Sequence, residues 1–261
     1  SGEAIYIRDE ETGRFWSPSP LPARGHNPYV ARHGFGYSIF EYAEDGIVTE
    51  LCLFVATDAP VKFARLKITN RSGRPRQLSV TGYWEWVLGE LRNKTLMHVR
   101  TELDPISGAL FARNKYSPEF ADRVVFVNSS ETIRTVTADR TEFFGRNGTP
   151  ADPAALRRAR LSGRLGAGLD PCAAMQVQVE LEDGQEKEVV FILGAARGDE
   201  EARQLSHRFH DAVSAQQALE VDVIGVDLVD DHQPAELALR RPLHHARGDH
   251  FDAGRRADHD G

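Results

Sequence analysis

The segment Met175-Gln176-Val177-Gln178-Val179-Glu180-Leu181 alternates apolar and polar residues without a break. Because successive side chains of a strand point to opposite faces, this period of two predicts a β-strand with one face in a core and the other in water. Asp183-Gly184 then turns the chain, and the more apolar stretch 187–193 follows as a second predicted strand. The pattern therefore predicts a β-hairpin near the end of a strand-rich region.

Short strand-like stretches also fill the chain upstream of this hairpin. Alternation over 78–88 places Trp84 and Trp86 on an apolar face, which predicts that both rings lie in the core. Within 61–70 the apolar residues shift from odd to even numbers, which predicts a β-bulge at Ala64-Arg65. The other predicted strands cover 5–8, 37–42, 47–55, 97–103, 109–113, 123–128 and 132–138. We therefore expect an all-β fold, a large antiparallel β-sandwich.

Helical signals appear only late in the sequence. Asp152-Pro153 predicts the start of a short helix that runs to Arg160, and the acidic start and 3.6 period of 199–220 predict a longer linker helix. The predicted organisation is thus a sandwich domain over 1–198, this linker helix, and a tail over 221–261. The tail is acidic, rich in histidine and poor in large apolar residues, so we expect it to be disordered and interpret it as a truncated or frameshifted end; a metal-binding tract is the alternative.

Composition excludes several classes of protein. The net charge of −7 over 261 residues gives no positive field for a nucleic acid. The longest uncharged apolar run, 189–196, is far shorter than the roughly 20 residues that a membrane helix needs. The start resembles no signal peptide, and the two cysteines are too few for a disulfide framework. We therefore expect a cytoplasmic chain with no membrane segment, no nucleic-acid partner, no metal and no cofactor.

One early segment is rich in the residue types that bind sugars. It contains Trp16, followed by Arg32, His33 and Tyr37. A pyranose ring has an apolar C–H face surrounded by hydroxyl groups, so aromatic faces beside hydrogen-bond donors suit it. These four residues are the predicted substrate contacts. The alternative is an irregular loop whose aromatic rings pack on the sandwich.

Catalysis by this chain alone would require further groups. Five carboxylates lie in the strand-rich part: Glu50, Glu85, Glu102, Asp104 and Glu142. Glycoside hydrolysis needs two carboxylates that face each other across the sugar, and the sequence indicates no such pair. A sugar epimerase needs a histidine acid and a carboxylate base in one cleft, so His33 or His98 beside a buried glutamate would favour that activity.

Five ordered blocks carry a resemblance to a known family. They are 7–18, 32–38, Tyr83-Trp84-Glu85-Trp86-Val87-Leu88-Gly89, Phe143-Phe144-Gly145-Arg146-Asn147-Gly148 and 166–174. Together they resemble the N-terminal domain of glycoside hydrolase family 94, which includes cellobiose and chitobiose phosphorylases. Residues 5–209 resemble most the phosphorylase-like region of cyclic β-1,2-glucan synthase.

The resemblance implies a fold and a division of labour. It implies a galactose-mutarotase-like super-sandwich with short C-terminal helices, and then an (α/α)6 barrel that carries the aspartate general acid and the phosphate site. Because this chain lacks the barrel, the resemblance implies a noncatalytic module that binds or positions a β-linked glucan or oligosaccharide. Its implied partners are the barrel and a second copy in a homodimer. If the chain is part of a larger synthase, the implied location is the cytoplasmic side of the inner membrane. In this interpretation the sugar or the barrel is contacted by Trp16, Arg32, His33 and Tyr37. The alternative functions are a mutarotase-like epimerase and a pure dimerisation domain without sugar affinity.

Overall fold

Two antiparallel β-sheets pack face to face in the computed structural model of this chain. The structure describes residues 2–116, 118–132 and 134–227, with side chains described as far as residue 220. Of the predicted tail 221–261, residues 221–227 continue a helix, and residues 228–261 lie outside the described residues.

The strands in the described residues are β1 (Glu3–Asp9), β2 (Phe15–Trp16), β3 (Val30–His33), β4 (Tyr37–Glu44), β5 (Ile47–Val55), β6 (Val61–Asn70), β7 (Arg76–Glu85), β8 (Val99–Leu103), β9 (Leu110–Asn114), β10 (Arg123–Ser129), β11 (Arg134–Asp139), β12 (Pro171–Leu181) and β13 (Glu186–Arg197). The helices are α1 (Arg92–Thr95), α2 (Arg140–Phe144), α3 (Gly198–Arg208) and α4 (Ala212–Asp227), with 3₁₀ turns at Leu96–His98 and Ala154–Arg157.

The smaller sheet has the strand order β11-β12-β7-β1-β2, and the larger has the order β3-β4-β5-β6-β13-β10-β9-β8. Between them lies the inner core, which includes Leu66, Val80 and Phe191. Trp84 and Trp86 are buried in this core, as the alternation predicted. The all-β fold, a large antiparallel β-sandwich with short helices towards the C-terminus, is therefore confirmed.

The predicted hairpin of 175–181 with 187–193 is wrong. The two strands are consecutive, but β12 pairs with β7 and β11, whereas β13 pairs with β6 and β10 in the other sheet. The turn at Asp183-Gly184 crosses from one sheet to the other. It lies beside the β6–β7 connection, where Asn70 Nδ2 donates to the carbonyl oxygens of Leu181 and Glu182, each at 3.1 Å. Alternation reports which face of a strand is buried but not its hydrogen-bonding partner.

The predicted bulge at Ala64-Arg65 is also wrong, because β6 pairs in continuous register with β5 and β13. The shift of apolar phase has another cause. Leu66 points into the inner core, whereas Phe63 points to the opposite face of the larger sheet, into a second, outer core. Helices α3 and α4 cover that outer core and contribute Phe209 to it. Both faces of β6 are buried, so both parities are apolar.

The helical predictions are partly correct. Stretch 199–220 is helical, but it contains two helices that break between Arg208 and Ala212. Stretch 152–160 forms only the short 3₁₀ turn Ala154–Arg157. Helix α2 was not predicted; Asp139 Oδ1 caps it by accepting the backbone N–H of Thr141 at 3.0 Å. No helix in the described residues is long and apolar enough to span a membrane.

Candidate functional site

Three of the four predicted sugar contacts lie on the β3–β4 hairpin, at one edge of the larger sheet. Every residue of β3 is exposed. The tight turn depends on glycine at two positions: Gly36 has a φ of +78°, and a Cβ on Gly34 would lie 2.3 Å from the Tyr37 ring. Phe35, at the tip between them, is 78% exposed.

The hairpin presents its predicted contacts on two opposite faces. Arg32 donates to Glu41 at 2.5 Å, and Tyr37 packs against the outer core. His33 is on the other face, with Nδ1 2.9 Å from Ser38 Oγ and its ring edge-on to Phe40 at 6.1 Å. Arg32 and Tyr37 can therefore act together on one surface, whereas His33 faces a different region.

Trp16 lies outside this hairpin. It belongs to β2, at the edge of the smaller sheet, where Ile7 of β1 is its partner. The ring is buried in the inner core and only 2% exposed. Such a ring has no face open to solvent on which a sugar could stack, so the structure gives Trp16 a packing role.

A cleft of about 450 Å³ opens between the two sheets on the His33 side of the hairpin. Its walls are largely apolar and include Phe40 from the larger sheet and Trp84 from the smaller. An ion pair between Lys62 and Glu3 contributes charge to the lining. A sugar requires several directional hydrogen-bond partners, so these walls suit an apolar group better than a sugar.

A polar cluster that the sequence did not predict surrounds the buried carboxylate of Glu44, at the end of β4. Arg14 donates to Glu44 Oε1 at 2.8 Å, and the His26 backbone N–H donates to Oε2 at 3.0 Å. The Tyr42 hydroxyl also donates to Oε2, and its ring stacks on Tyr29 with centroids 3.9 Å apart. No motif in the sequence predicts this cluster, because its residues are scattered over three separate segments of the chain.

These contacts control the ionisation of Glu44. Burial by itself raises the pKa of this carboxyl, but hydrogen bonds from Tyr42, His26 and Arg14 outweigh burial and lower that pKa from 4.5 to about 2. A carboxylate held in this way is a weak base at neutral pH. The cluster therefore holds two segments to the end of β4: the β1–β2 connection through Arg14 and the β2–β3 connection through His26.

The geometry does not favour an epimerase. His33 contacts Ser38, and the His98 ring stacks on Tyr116. The histidine that reaches a buried glutamate is His26, whose Nδ1 lies 2.9 Å from Glu44 Oε1. However, His26 is 79% exposed in its side chain and the low pKa of Glu44 opposes proton abstraction. His26 and Glu44 are therefore of the residue types that an epimerase uses as acid and base, but Glu44 is too weak a base to remove a proton from a sugar.

Each of the five carboxylates considered for glycoside hydrolysis contacts an arginine. The pairs are Glu50 with Arg65, Glu85 with Arg92 and Arg140, Glu102 with Arg113, Asp104 with Arg203, and Glu142 with Arg158. For Asp104, burial raises the pKa, but hydrogen bonds from Arg203 and Ser107 outweigh it and lower the pKa to about 2. The low pKa of Asp104 favours its ionised form, whereas a general acid must hold a proton near neutral pH. In the described residues, no group of three metal-binding side chains is placed to hold a metal ion.

Residues 1–212 match the family model of the glycosyl hydrolase 94 supersandwich domain. The chain belongs to this family. The resemblance noted in the five sequence blocks is thereby confirmed, and so is the super-sandwich architecture that it implied.

Known relatives of this supersandwich domain are much longer proteins. The chain is 37% identical over 232 residues to cyclic beta-(1,2)-glucan synthase NdvB of Rhizobium meliloti (strain 1021). The aligned region is 86% of the chain and 8% of the synthase. It is 28% identical over 209 residues to N,N'-diacetylchitobiose phosphorylase of Vibrio furnissii. Here the aligned region is 77% of the chain and 26% of the phosphorylase. The chain thus spans about a quarter or less of the length of these two relatives.

Among solved structures, a galactose mutarotase-like protein from Lactobacillus casei ATCC 334 aligns with 74% of the chain and 85% of its own length. The sequence identity is 9% and the TM-score is 0.33. At this score the likeness carries no argument about the site or its chemistry.

Proposed function

We propose that this supersandwich domain is a noncatalytic, sugar-associated module of a larger glycoside phosphorylase-like or glucan synthase-like protein. The observation that carries the proposal is that the chain matches only a small part of the synthase and of the phosphorylase. That part is the supersandwich domain described by the family model. The arginine partners of the candidate carboxylates support a noncatalytic role. The chemical step is then assigned to a separate barrel domain.

Arg32, His33 and Tyr37 are the proposed contacts with a β-linked glucan or with that barrel. Support comes from the exposure of β3 and from the position of Arg32 and Tyr37 on one face of the hairpin. One N–H of the Arg32 guanidinium donates to Glu41, and the side chain is exposed, so further N–H groups of its five can donate to a ligand. We assign no sugar contact to Trp16, because its ring is buried.

The proposal extends to location and assembly. Cys52 and Cys172 are both free thiols, which supports a cytoplasmic location. A homodimer is part of the proposal, and sedimentation velocity of the purified chain tests it. A dimer with no sugar affinity would favour the alternative of a pure dimerisation domain.

Calorimetric titration with β-1,2-linked glucan oligosaccharides and with cellobiose tests the sugar contact. Replacing Arg32 by alanine should weaken binding by about tenfold, the expected cost of one hydrogen bond from a charged donor. Arg74→Ala is the matched control, because Arg74 also forms an exposed ion pair, with Glu11. Equal affinities of the two variants, or no heat at millimolar sugar, would contradict the proposed contact.

An assay for sugar phosphate tests the noncatalytic role separately. The purified chain is incubated with cellobiose and inorganic phosphate, and glucose 1-phosphate is measured. We expect no product above the level without protein. Enzyme-dependent product would overturn the noncatalytic assignment, whatever the titration shows.

A further inference from the structure

Two stacked rings, a half-buried histidine and an exposed tyrosine, lie at the opposite edge of the larger sheet from the β3–β4 hairpin. Strands β8 and β9 pair there, with Val99 opposite Asn114. His98 directly precedes Val99, Tyr116 lies two residues after Asn114, and the two rings stack at this end of the strand pair. Their centroids are 3.9 Å apart and their planes are 10° from parallel.

One face of the Tyr116 ring is open to solvent. Tyr116 is 73% exposed although His98 covers one side of its ring. The uncovered area must therefore belong to the opposite face and the ring edge. An aromatic ring held flat by a neighbour and open on its other face is a surface on which an apolar ligand face can stack.

A buried asparagine, through one hydrogen bond that it accepts and one that it donates, holds the position of this stacked pair, the Tyr116–His98 platform. Asn114 is 3% exposed; its Oδ1 accepts the Tyr116 backbone N–H at 3.1 Å, and its Nδ2 donates to the Leu88 carbonyl oxygen at 2.9 Å. The same asparagine lines a cleft of about 300 Å³, together with the ring of Phe120 and the side chain of Arg123. A platform fixed before binding loses less conformational entropy when a ligand arrives.

We propose that the Tyr116–His98 stack and the adjoining cleft form a binding site for a β-linked glucan chain, with a glucose ring on the open face of Tyr116. A glucose ring has an apolar C–H face that fits an aromatic ring and hydroxyl groups at its rim that need partners. Arg123 lines the adjoining cleft, Lys115 is next to Tyr116 in the sequence, and both are exposed, so each offers N–H donors for hydroxyl groups. The inference rests on the proposed sugar association but places a site far from Arg32.

The surroundings favour a sugar over an apolar protein segment. Charged residues Lys115, Glu119, Asp122 and Arg123 lie close in sequence around Tyr116 and Phe120, and all four are exposed. Fully buried centres of protein interfaces are depleted of charged residues. A sugar is compatible with these four charged residues, because its hydroxyl groups form hydrogen bonds with charged side chains.

Titration calorimetry of the whole chain with β-1,2-linked glucan oligosaccharides tests the site. Tyr116→Ala removes the stacking face and should weaken binding five- to tenfold, whereas Tyr116→Phe keeps the ring and should stay within twofold of the original affinity. The matched control is Val213→Ala, since Val213 is a similarly exposed apolar residue, 66% against 73%, on α4, which packs on the central strands β6 and β13 and not on either edge of the larger sheet. Urea unfolding midpoints confirm that the variants fold.

The outcomes separate this site from the proposed function. Sugar binding that Arg32→Ala weakens and Tyr116→Ala leaves unchanged would overturn the platform and keep the sugar-associated role. No binding to the unaltered chain would overturn both. A loss of self-association in Tyr116→Ala, with sugar affinity unchanged, would identify the surface as a protein contact and also overturn the platform.

Discussion

Replacing Glu44 by glutamine keeps the size of the side chain and removes its charge. In the structure this carboxylate is 4% exposed and contacts Arg14, His26 and Tyr42. Its pKa falls from 4.5 to about 2. At about 1.4 kcal/mol per pKa unit the shift corresponds to about 3 kcal/mol of stability at neutral pH. Water screens the half-exposed Arg14 side chain, so we expect a loss of about 2 kcal/mol.

The sign of the pH dependence follows from the direction of the shift. Because the folded protein has the lower pKa, the unfolded chain takes up the proton first as the pH falls. The contribution of Glu44 is therefore complete above pH 4.5 and is lost as the pH falls towards 2. The difference in stability between the unaltered chain and Glu44→Gln should be largest at pH 7 and should shrink between pH 5 and pH 3.

Urea unfolding at pH 7, 5, 4 and 3, followed by the fluorescence of the buried tryptophans, measures this difference. Asp104 also has its pKa lowered to about 2, but it is present in both proteins and its contribution cancels. Glu90→Gln is the control, because Glu90 is 82% exposed in its side chain and should change stability by less than about 0.5 kcal/mol. A difference for Glu44→Gln that is absent at pH 7, or that stays constant to pH 3, would refute the reasoning.

Two substitutions and one labelling experiment test the packing. Trp16→Ala should cost about 3 to 5 kcal/mol in urea unfolding, because it empties a space in the inner core; a loss below about 1 kcal/mol would indicate a surface ring. Phe209→Ala should cost about 3 kcal/mol, because Phe209 contacts the Phe63 ring edge-on at 5.4 Å beneath α3 and α4; an unchanged unfolding midpoint would contradict the outer core. Burial raises the pKa of the Cys52 thiol to about 11 and also raises that of Cys172. A thiol-specific reagent at pH 8 should therefore label these cysteines only in urea, and rapid labelling of the folded chain would contradict their burial.

The sequence predicted the strands and the faces of the strands well, and their partners poorly. The alternation over 175–181 follows from local backbone geometry, so β12 was predicted within a few residues. Its pairing with β7 is set by contacts across a large separation in sequence, which alternation does not encode. A two-residue turn signal between two strands therefore predicts a hairpin even where, as here, the strands belong to different sheets.

Burial of both faces explains the error at β6. A strand with one face in water has apolar residues at every second position only. In β6, α3 and α4 cover the second face, so the residues on that face are apolar as well. The sequence did contain a signal for this, since the amphipathic stretch 199–220 needs an apolar surface to cover. A shift of parity together with an unpartnered amphipathic helix predicts a covered sheet, not a bulge.

The candidate site was only partly predictable for a related reason. Residue types indicated a sugar-binding composition, and Gly34 and Gly36 marked the turn that presents Arg32 and Tyr37. Composition does not distinguish a tryptophan that stacks on a ligand from one that fills the core, so Trp16 was included with the others. The Tyr116–His98 stack depends on the register of β8 and β9, which the separate strand predictions over 97–103 and 109–113 did not specify.

Covered sheet faces limit where a ligand can bind. The inner faces of both sheets form one core, helices α3 and α4 cover the outer face of the larger sheet, and α2 with the 3₁₀ turn Ala154–Arg157 covers part of the outer face of the smaller one. A glucan or a partner domain can therefore reach the larger sheet most readily at its two edges. The β3–β4 hairpin and the β8–β9 end are those edges, and each carries exposed aromatic residues beside charged ones. This arrangement explains why both proposals concern edge loops, and it predicts that substitutions there will alter binding with little effect on stability.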